Sequence, residues 1–406
     1  MRDLPDLDEV LDALHDGQTA DPTSAAAAIL DDPRELVLDA ATGRPRHAGA
    51  TQAEGEYILQ FRREAEQSLY VFTKGILVRD DLTPALHRPI CDWLQRVPPH
   101  RKGALLPREH GKSSIVSHGL PLHILIQPIE DNVYFPGESG ADQRILLATE
   151  TEGRGKDHLR VMASAMEAND VFRAFWPHRC WTAPRRESKK WNDVEVIIPR
   201  SSEYPDPSIR VIGVGGAIVG AHPTVVIKDD LTTLEAMNST TVMQTAIEWH
   251  ITSRALTNRA GTLEFIIGTR WHAADLYAYI MQNDPSVEWM TRAIVEQGVA
   301  IYPEMFTMDK IAQLQREFGV LFPLLYMNSA ADPSLVDFSA GDLRDYDIIG
   351  GDLMFQEGPD DARLVERLRK RPDTPSDVLR GAPLTSDTFA ALRLQARLGG
   401  VRMRIR

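Results

Sequence analysis

The feature that most restricts how this chain can fold is Gly103-Ala104-Leu105-Leu106-Pro107-Arg108-Glu109-His110-Gly111-Lys112-Ser113-Ser114, an apolar run that opens into a loop ending in Gly-Lys-Ser. Apolar residues at helical spacing follow, from Ile115 to Ile126. That order is the sequence form of strand, phosphate loop and helix, and it predicts a mainly parallel α/β sheet flanked by helices. In such a loop, backbone N–H groups and a helix N-terminus face a triphosphate, a lysine reaches the β- and γ-phosphates, and a hydroxyl reaches Mg²⁺. Gly111 permits close backbone approach, Lys112 supplies the charge and Ser113 the metal ligand. The usual loop opens with glycine six residues before the lysine, and here Leu106 stands there. Gly-Lys-Ser alone is common by chance, so ATP binding needs support from elsewhere in the chain.

Two further stretches supply it. Thr224-Val225-Val226-Ile227-Lys228-Asp229-Asp230 is an apolar strand ending in paired carboxylates, which places both acids at the carboxyl edge of the sheet, where α/β proteins bind ligands. In a phosphate-loop enzyme the first acid holds Mg²⁺ and the second orients or deprotonates the attacking water. Many strands end in an acidic turn, but this one follows a Gly-Lys-Ser loop at domain-scale distance. The other stretch is Thr262-Leu263-Glu264-Phe265-Ile266-Ile267-Gly268-Thr269-Arg270-Trp271-His272. It delivers Thr269 to sense the γ-phosphate or its water, and Arg270 to report to a DNA grip or a neighbouring subunit. Trp271 and His272 read equally well as a packed aromatic and a helix-start residue.

Composition sets the frame around these motifs. At 406 residues the chain suffices for one large α/β domain with extensions or for two domains. Its 43% apolar and 25% charged residues are ordinary for a globular protein. No segment approaches the roughly 20 uninterrupted apolar residues that span a bilayer, and the acidic N-terminus is unlike a signal peptide, so the expected compartment is the cytoplasm. Cys91 and Cys180 lack partners at zinc-finger spacing and read as reduced thiols. A net charge of −13 argues against a surface broadly coated for nucleic acid, though a local basic channel remains compatible with it.

Taken in order, residues 1–55 read as an acidic peripheral extension with helical patches at Leu7 to Leu14 and Ser24 to Leu30. Helices are expected over Glu54 to Leu77 and Pro84 to Leu94, and a helix bent near Gly119-Leu120-Pro121 follows the loop. Arg144 to Thr149 reads as a buried strand and Glu152 to Ala168 as a helix, a βαβ step. Strand-like pieces follow at Val194 to Ile198 and Ile209 to Gly213. The glycines of Val214 to Gly220 read as a tight strand connection in preference to a phosphate nest. A helix is expected from about Ser239 to Leu256.

The three motifs in this order resemble the large terminase subunits of tailed bacteriophages, motors that package DNA into procapsids. Pro107-Arg108-Glu109-His110-Gly111-Lys112-Ser113 is similar to that family's deviant phosphate loop, where Pro-Arg precedes x-x-Gly-Lys-Ser/Thr and the leading glycine is often missing. Val225 to Asp230 resembles the family's Walker B strand, and Gly268 to His272 with Asp275-Leu276 its coupling motif. The resemblance spans roughly residues 60–345, ending near Leu325-Tyr326-Met327-Asn328-Ser329. It implies a P-loop NTPase fold of the ASCE/RecA-like type, with a motor domain at 56–335 and a linker and basic tail at 336–406. It also implies ATP and Mg²⁺ as cofactors. Pro107, Arg108, Glu109, His110, Gly111, Lys112, Ser113 and Ser114 would bind ATP, with Lys112 on the β/γ-phosphates. Ser113 and Asp229 would hold the metal, Asp230 the attacking water, and Thr269 with Arg270 the coupling step. The adenine site is expected near His87. The implied partners are double-stranded viral DNA, a portal protein, a small terminase subunit, further copies in a ring and a separately encoded nuclease, at the procapsid portal in the host cytoplasm.

Two departures from the family pattern stand out. Val219-Gly220-Ala221 lacks the arginine that members offer to a neighbouring subunit's ATP, leaving Arg210 and Arg270 as substitutes. Fewer than about eighty residues follow Ser329, short for the usual nuclease domain, and Asp342, Asp345, Asp347 and Asp352 read as solvated loop residues. The Arg-rich tail reads as a solvated end before a DNA-docking one. Two other readings compete with the motor: a helicase-like ATPase outside packaging, and a structural subunit that binds nucleotide or DNA without turnover.

Overall fold

The computed structural model describes residues 36–38, 45–47, 52–218, 220–233, 239–257, 259–272, 274–329, 346–349 and 352–355. The chain divides into Met1–Ala330 and Ala331–Arg406. In the first unit, β1 (Leu36–Leu38) and β2 (Pro45–His47) form an antiparallel hairpin inside the stretch expected to be a helical extension. The expected helices at Leu7 to Leu14 and Ser24 to Leu30 lie outside the described residues.

The centre of this unit is a seven-stranded sheet of β3 (Arg101–Leu105), β4 (Ile145–Thr149), β5 (Glu195–Val196), β6 (Ile209–Gly213), β7 (Val225–Asp229), β8 (Leu263–Gly268) and β9 (Glu288–Thr291), ordered β5-β6-β4-β7-β8-β3-β9. All neighbouring pairs are parallel except β5 with β6. β4, β7 and β8 are buried along their whole length. Near-continuous apolar runs have this meaning when helices cover both faces of a parallel sheet. Strand alternation sorts the core accordingly: Ile145, Leu147, Val225, Ile227, Phe265 and Ile267 join one apolar cluster, while Leu146, Ala148 and Ile266 join another. The second cluster includes Met243, Ala246 and Trp249 of helix Thr240–Ser253 and Leu276 and Ile280 of helix Leu276–Asn283. Two short strands, β10 (Val295–Glu296) and β11 (Val299–Ala300), pair beyond the sheet, and helix Met308–Phe318 follows.

Several expected elements differ in detail. The helix read over Glu54 to Leu77 is Gln52–Gln67, a break at Ser68, and a helical stretch that is π-wound over Phe72–Ile76. Ser68 has extended backbone and its hydroxyl accepts from Val71 N–H, so an N-cap interrupts what apolar spacing presents as one helix. The bend expected at Gly119-Leu120-Pro121 takes the form of a π-wound segment, Ser114–Gly119, ahead of helix Leu120–Ile126. Asp347 and Asp352, read as loop residues, lie on β12 (Tyr346–Ile349) and β13 (Asp352–Phe355), an antiparallel hairpin in the second unit. Ile348-Ile349 and Leu353-Met354-Phe355 flanking Gly350-Gly351 are the hairpin signal in the sequence. Asp342 and Asp345 lie outside the described residues. Among the described residues no helix is long and apolar enough to cross a membrane.

Charges inside the sheet set part of its stability. Lys228 on β7 and Glu264 on β8 are both fully buried and pair at 2.6 Å. Arg101 on β3 reaches Glu264 at 2.6 Å and Asp284 at 2.7 Å, and His250 lies 3.1 Å from Lys228. Burial alone would raise the Glu264 carboxyl, but Lys228 and Arg101 hold it below the ordinary range. Removing one member of such a network strands a buried charge, so Lys228→Met is expected to cost about 3–5 kcal/mol in urea unfolding. A double variant with Glu264→Leu recovers part of that loss, because the carboxylate oxygen left without Lys228 is removed with it.

His123 in helix Leu120–Ile126 gives the fold a pH dependence. Its Nδ1 lies 2.8 Å from the Tyr134 hydroxyl and its Nε2 3.0 Å from the Ala65 carbonyl, an arrangement that satisfies the neutral ring with Nε2 donating. Burial lowers its pKa to about 3. The unfolded chain binds this proton below about pH 6.5 and the folded chain does not, so stability falls as pH drops through that window. From pH 6.5 to 5 the loss through His123 is about 2 kcal/mol. Thermal melts at pH 7 and 5 check this: His123→Gln is expected to melt lower at pH 7 yet to lose less on acidification.

Candidate functional site

Three adjacent strands, β7, β8 and β3, bring the sequence motifs to one edge of the sheet. After β3 the chain turns through Pro107 to His110 and becomes helical at Lys112. Glu109 and Gly111 both have positive φ, 62° and 70°. Backbone of that kind turns successive N–H groups toward one point, the geometry of an anion nest. Gly111 also sits where a Cβ would lie 3.0 Å from Leu82 and 3.1 Å from His87, so a side chain there would be strained in backbone conformation and crowded by both neighbours.

Lys112 is the node of the site. Its ammonium donates to Asp230 Oδ1 and to Thr269 Oγ1, both at 2.7 Å, joining the loop after β3 to the ends of β7 and β8. Asp230 has φ of 46°, and its N–H donates to Ile267 O at 3.0 Å, which turns its side chain out of the strand pattern toward Lys112. Burial raises the Asp230 pKa against the opposing charge of Lys112, and Asp229 pushes it the same way as burial. A carboxyl so displaced is better suited to take a proton from water.

Asp229 is buried and anchored through one oxygen. Its Oδ2 accepts from Ser113 Oγ at 3.2 Å and from Ser117 Oγ, and lies 3.5 Å from His158 Nε2. Its Oδ1 is buried without a hydrogen-bond partner. A hard cation takes oxygen ligands, few of them from protein in the case of Mg²⁺, so the unsatisfied carboxylate oxygen and the Ser113 hydroxyl beside it fit that ion. No cluster of three or more His, Cys, Asp or Glu suited to a metal occurs among the described residues.

The remaining residues expected in the site fall into support positions. Arg108 N–H donates to Leu325 O, and the Arg108 guanidinium lies 5.4 Å from the centre of the Trp271 ring. His110 is buried, stacked 4.9 Å from Phe306, with Nδ1 2.7 Å from Arg108 O. Ser114 begins the π-wound turn and is buried. Arg270 pairs with Asp275 at 2.8 Å within a buried pocket, and the same Asp275 oxygen accepts from Trp271 N–H while its other oxygen caps helix Leu276–Asn283. The helix-start role read for His272 therefore belongs to Asp275. Arg210 lies on β6 beside Glu195 at 3.6 Å. His87, expected near an adenine, is fully buried beneath Gly111 and edge-on to Tyr302 at 5.2 Å. Burial pushes the His87 and His110 pKa values down to about 4.

Sequence reasoning missed three contributors. Ser117 and His158 reach Asp229 from two different helical segments. Asn328, with φ of 48°, accepts from Arg270 N–H at 3.3 Å and donates to Arg292 O at 2.9 Å, tying the segment after helix Phe322–Leu325 to the end of β8. Ser117 was findable, since it lies four residues after Ser113 on one helical face; the other two depend on contacts distant in sequence.

No family model and no curated protein matches the chain. Among solved structures, the large terminase from the thermophilic bacteriophage D6E in complex with ADP aligns over 80% of this chain and 81% of that one, with 10% identity and a TM-score of 0.35. The same terminase in complex with ATP-gamma-S aligns over 80% and 81%, with 9% identity and a TM-score of 0.34. At that score the likeness carries neither a family nor an activity for this chain. What the chain has by itself is a mostly parallel, helix-flanked sheet consistent with a P-loop NTPase type of fold.

Proposed function

We propose that this chain is an ATP-hydrolysing motor subunit of the large terminase type, coupling hydrolysis to movement of double-stranded viral DNA into a procapsid. The observation that carries the reading is the Lys112 ammonium, held 2.7 Å from both Asp230 and Thr269 at the shared end of three adjacent strands. The order and spacing of the three motifs supply the rest. In this reading residues 107–114 cradle the phosphates, and Lys112 leaves its two partners for the β- and γ-oxygens. Asp230 takes the proton of the attacking water. Catalysis is then mostly positioning and charge stabilisation.

ATP enters with Mg²⁺, which Ser113 and Asp229 would hold and whose charge offsets that of the phosphates. Thr269, a hydrogen-bond partner of Lys112, senses whether the lysine has moved. Arg270 works through Asp275, fixing the turn that carries Thr269. The motor domain extends over about 56–335, preceded by an N-terminal extension and followed by a basic tail. Its partners are the DNA, a portal protein, a small terminase subunit, a separately encoded nuclease and other copies of the chain in a ring at the portal vertex.

Steady-state ATP hydrolysis with and without linear double-stranded DNA tests this. The reading predicts DNA-stimulated turnover that rises more than linearly with protein concentration, as expected of a site completed between subunits. Strand separation without a capsid partner would instead favour a helicase-like ATPase. Hydrolysis that ignores DNA at every concentration would contradict the motor.

A further inference from the structure

A second layer of residues stands behind the Asp229 carboxylate, and it follows from how its two oxygens are treated. All the contacts fall on Oδ2: Ser113 Oγ at 3.2 Å, Ser117 Oγ, and His158 Nε2 at 3.5 Å. Oδ1 has none. His158 is itself braced, with its Nδ1 3.0 Å from His118 Nε2. His118 Nδ1 is buried without a partner.

These contacts give one economical placement of protons. His158 carries its proton on Nε2, the ring nitrogen 3.5 Å from Asp229 Oδ2, and its Nδ1 accepts from His118 Nε2–H, which leaves a bare lone pair at His118 Nδ1. The reverse placement would bury an unpaired N–H there, and an orphaned donor costs more than an orphaned lone pair. Local packing explains why His158 arrives at this spot. Gly155, one turn earlier in helix Glu152–Ala168, sits where a Cβ would lie 3.0 Å from Val211 and 3.2 Å from Thr149 Oγ1. The helix therefore lies close against β4 and β6, and the residue three positions on shares the sheet-facing side.

We propose that His158, braced by His118, acts with Ser117 as a positioning unit that pins Oδ2 of Asp229 and so reserves Oδ1 for the nucleotide-bound metal. The assignment rests on the phosphate-loop reading of the site. It also makes helix Glu152–Ala168 part of the metal site's support, although none of its residues would be a ligand. Outer partners of this kind typically change metal affinity by about 10–100-fold when removed.

The test is Mn²⁺ binding followed by electron paramagnetic resonance in the presence of ATP-gamma-S, beside nucleotide affinity measured in EDTA. His158→Phe fills the space without a donor and is expected to weaken Mn²⁺ binding about 10–100-fold. His158→Gln, which keeps a donor, is expected to regain most of that loss, and metal-free nucleotide affinity is expected to stay within about twofold in both. Should the Phe variant fail to fold, Ser117→Ala removes one hydroxyl and carries the same expectation. Wild-type Mn²⁺ affinity in a folded His158→Phe or Ser117→Ala would overturn the assignment while leaving the phosphate-loop reading intact. Absence of nucleotide-dependent Mn²⁺ binding in the wild-type chain would overturn both.

Discussion

Lys112→Ala is expected to lower ATP turnover by at least about 10²–10³-fold, the range seen when a single preorganised donor to a developing charge is removed. The lysine ammonium meets Asp230 and Thr269 at 2.7 Å each, so one side chain reports on three strand ends. In the proposed site its loss would remove the charge meant for the phosphates, and it also unties Asp230, whose carboxyl pKa is already raised by burial. Two defects are therefore expected together: weaker nucleotide binding and a slower chemical step. Lys112→Arg keeps a positive charge but presents a planar fork where a compact ammonium fits, so it is not expected to rescue turnover. Circular dichroism melts of each variant separate loss of the site from loss of the fold. Turnover within tenfold of wild type in a folded Lys112→Ala protein would remove this loop from catalysis.

Asp229→Asn is expected to have an effect of similar size with a different signature. The substitution keeps the shape of the side chain and removes its charge in a pocket where Ser113, Ser117 and His158 converge on Oδ2. Binding of ATP-gamma-S in EDTA is expected to survive, because Lys112 and the loop backbone are untouched. The additional affinity conferred by Mg²⁺ is expected to disappear, and turnover to fall about 10²–10³-fold, as for other groups that stabilise transferring phosphoryl charge. A variant whose Mg²⁺ dependence matched wild type would place the metal elsewhere.

Much of the sheet is legible in the sequence because a parallel sheet covered on both faces needs near-continuous apolar strands. Ile145 to Thr149, Val225 to Asp229 and Leu263 to Gly268 announce themselves that way. The strand of Glu288–Thr291 does not, since an edge strand with half-buried residues lacks that run. Periodicity also carried the helix read from Glu54 across Ser68, because a single N-cap inside an apolar rhythm is invisible to spacing alone. In the site, the chain order of Lys112, Asp229, Asp230 and Thr269 points to one sheet edge. The strand order, with β8 lying between β7 and β3, is what sets Thr269 beside Lys112, and nothing local in the sequence fixes that neighbour relation. Arg270 illustrates the same limit. A strand-end arginine reads as a group offered outward, and its pairing with Asp275 is defined only by the fold.

The charged network of Arg101, Lys228 and Glu264 was hidden for a related reason. Within VVIKD and LEFIIG the charged residues look like interruptions of strands, yet each is the partner that makes the other tolerable inside the sheet.

The most direct test of the central claim, that the loop after β3 and the ends of β7 and β8 form one ATP site, is equilibrium binding of ATP-gamma-S by isothermal titration calorimetry, with Mg²⁺ and with EDTA, for wild type and Lys112→Ala. The account predicts one site per chain, tightened by Mg²⁺ in the wild type and abolished or weakened by more than about tenfold in the variant. Binding that is unaffected by Lys112→Ala, or no binding by the folded wild-type chain in either condition, would contradict it.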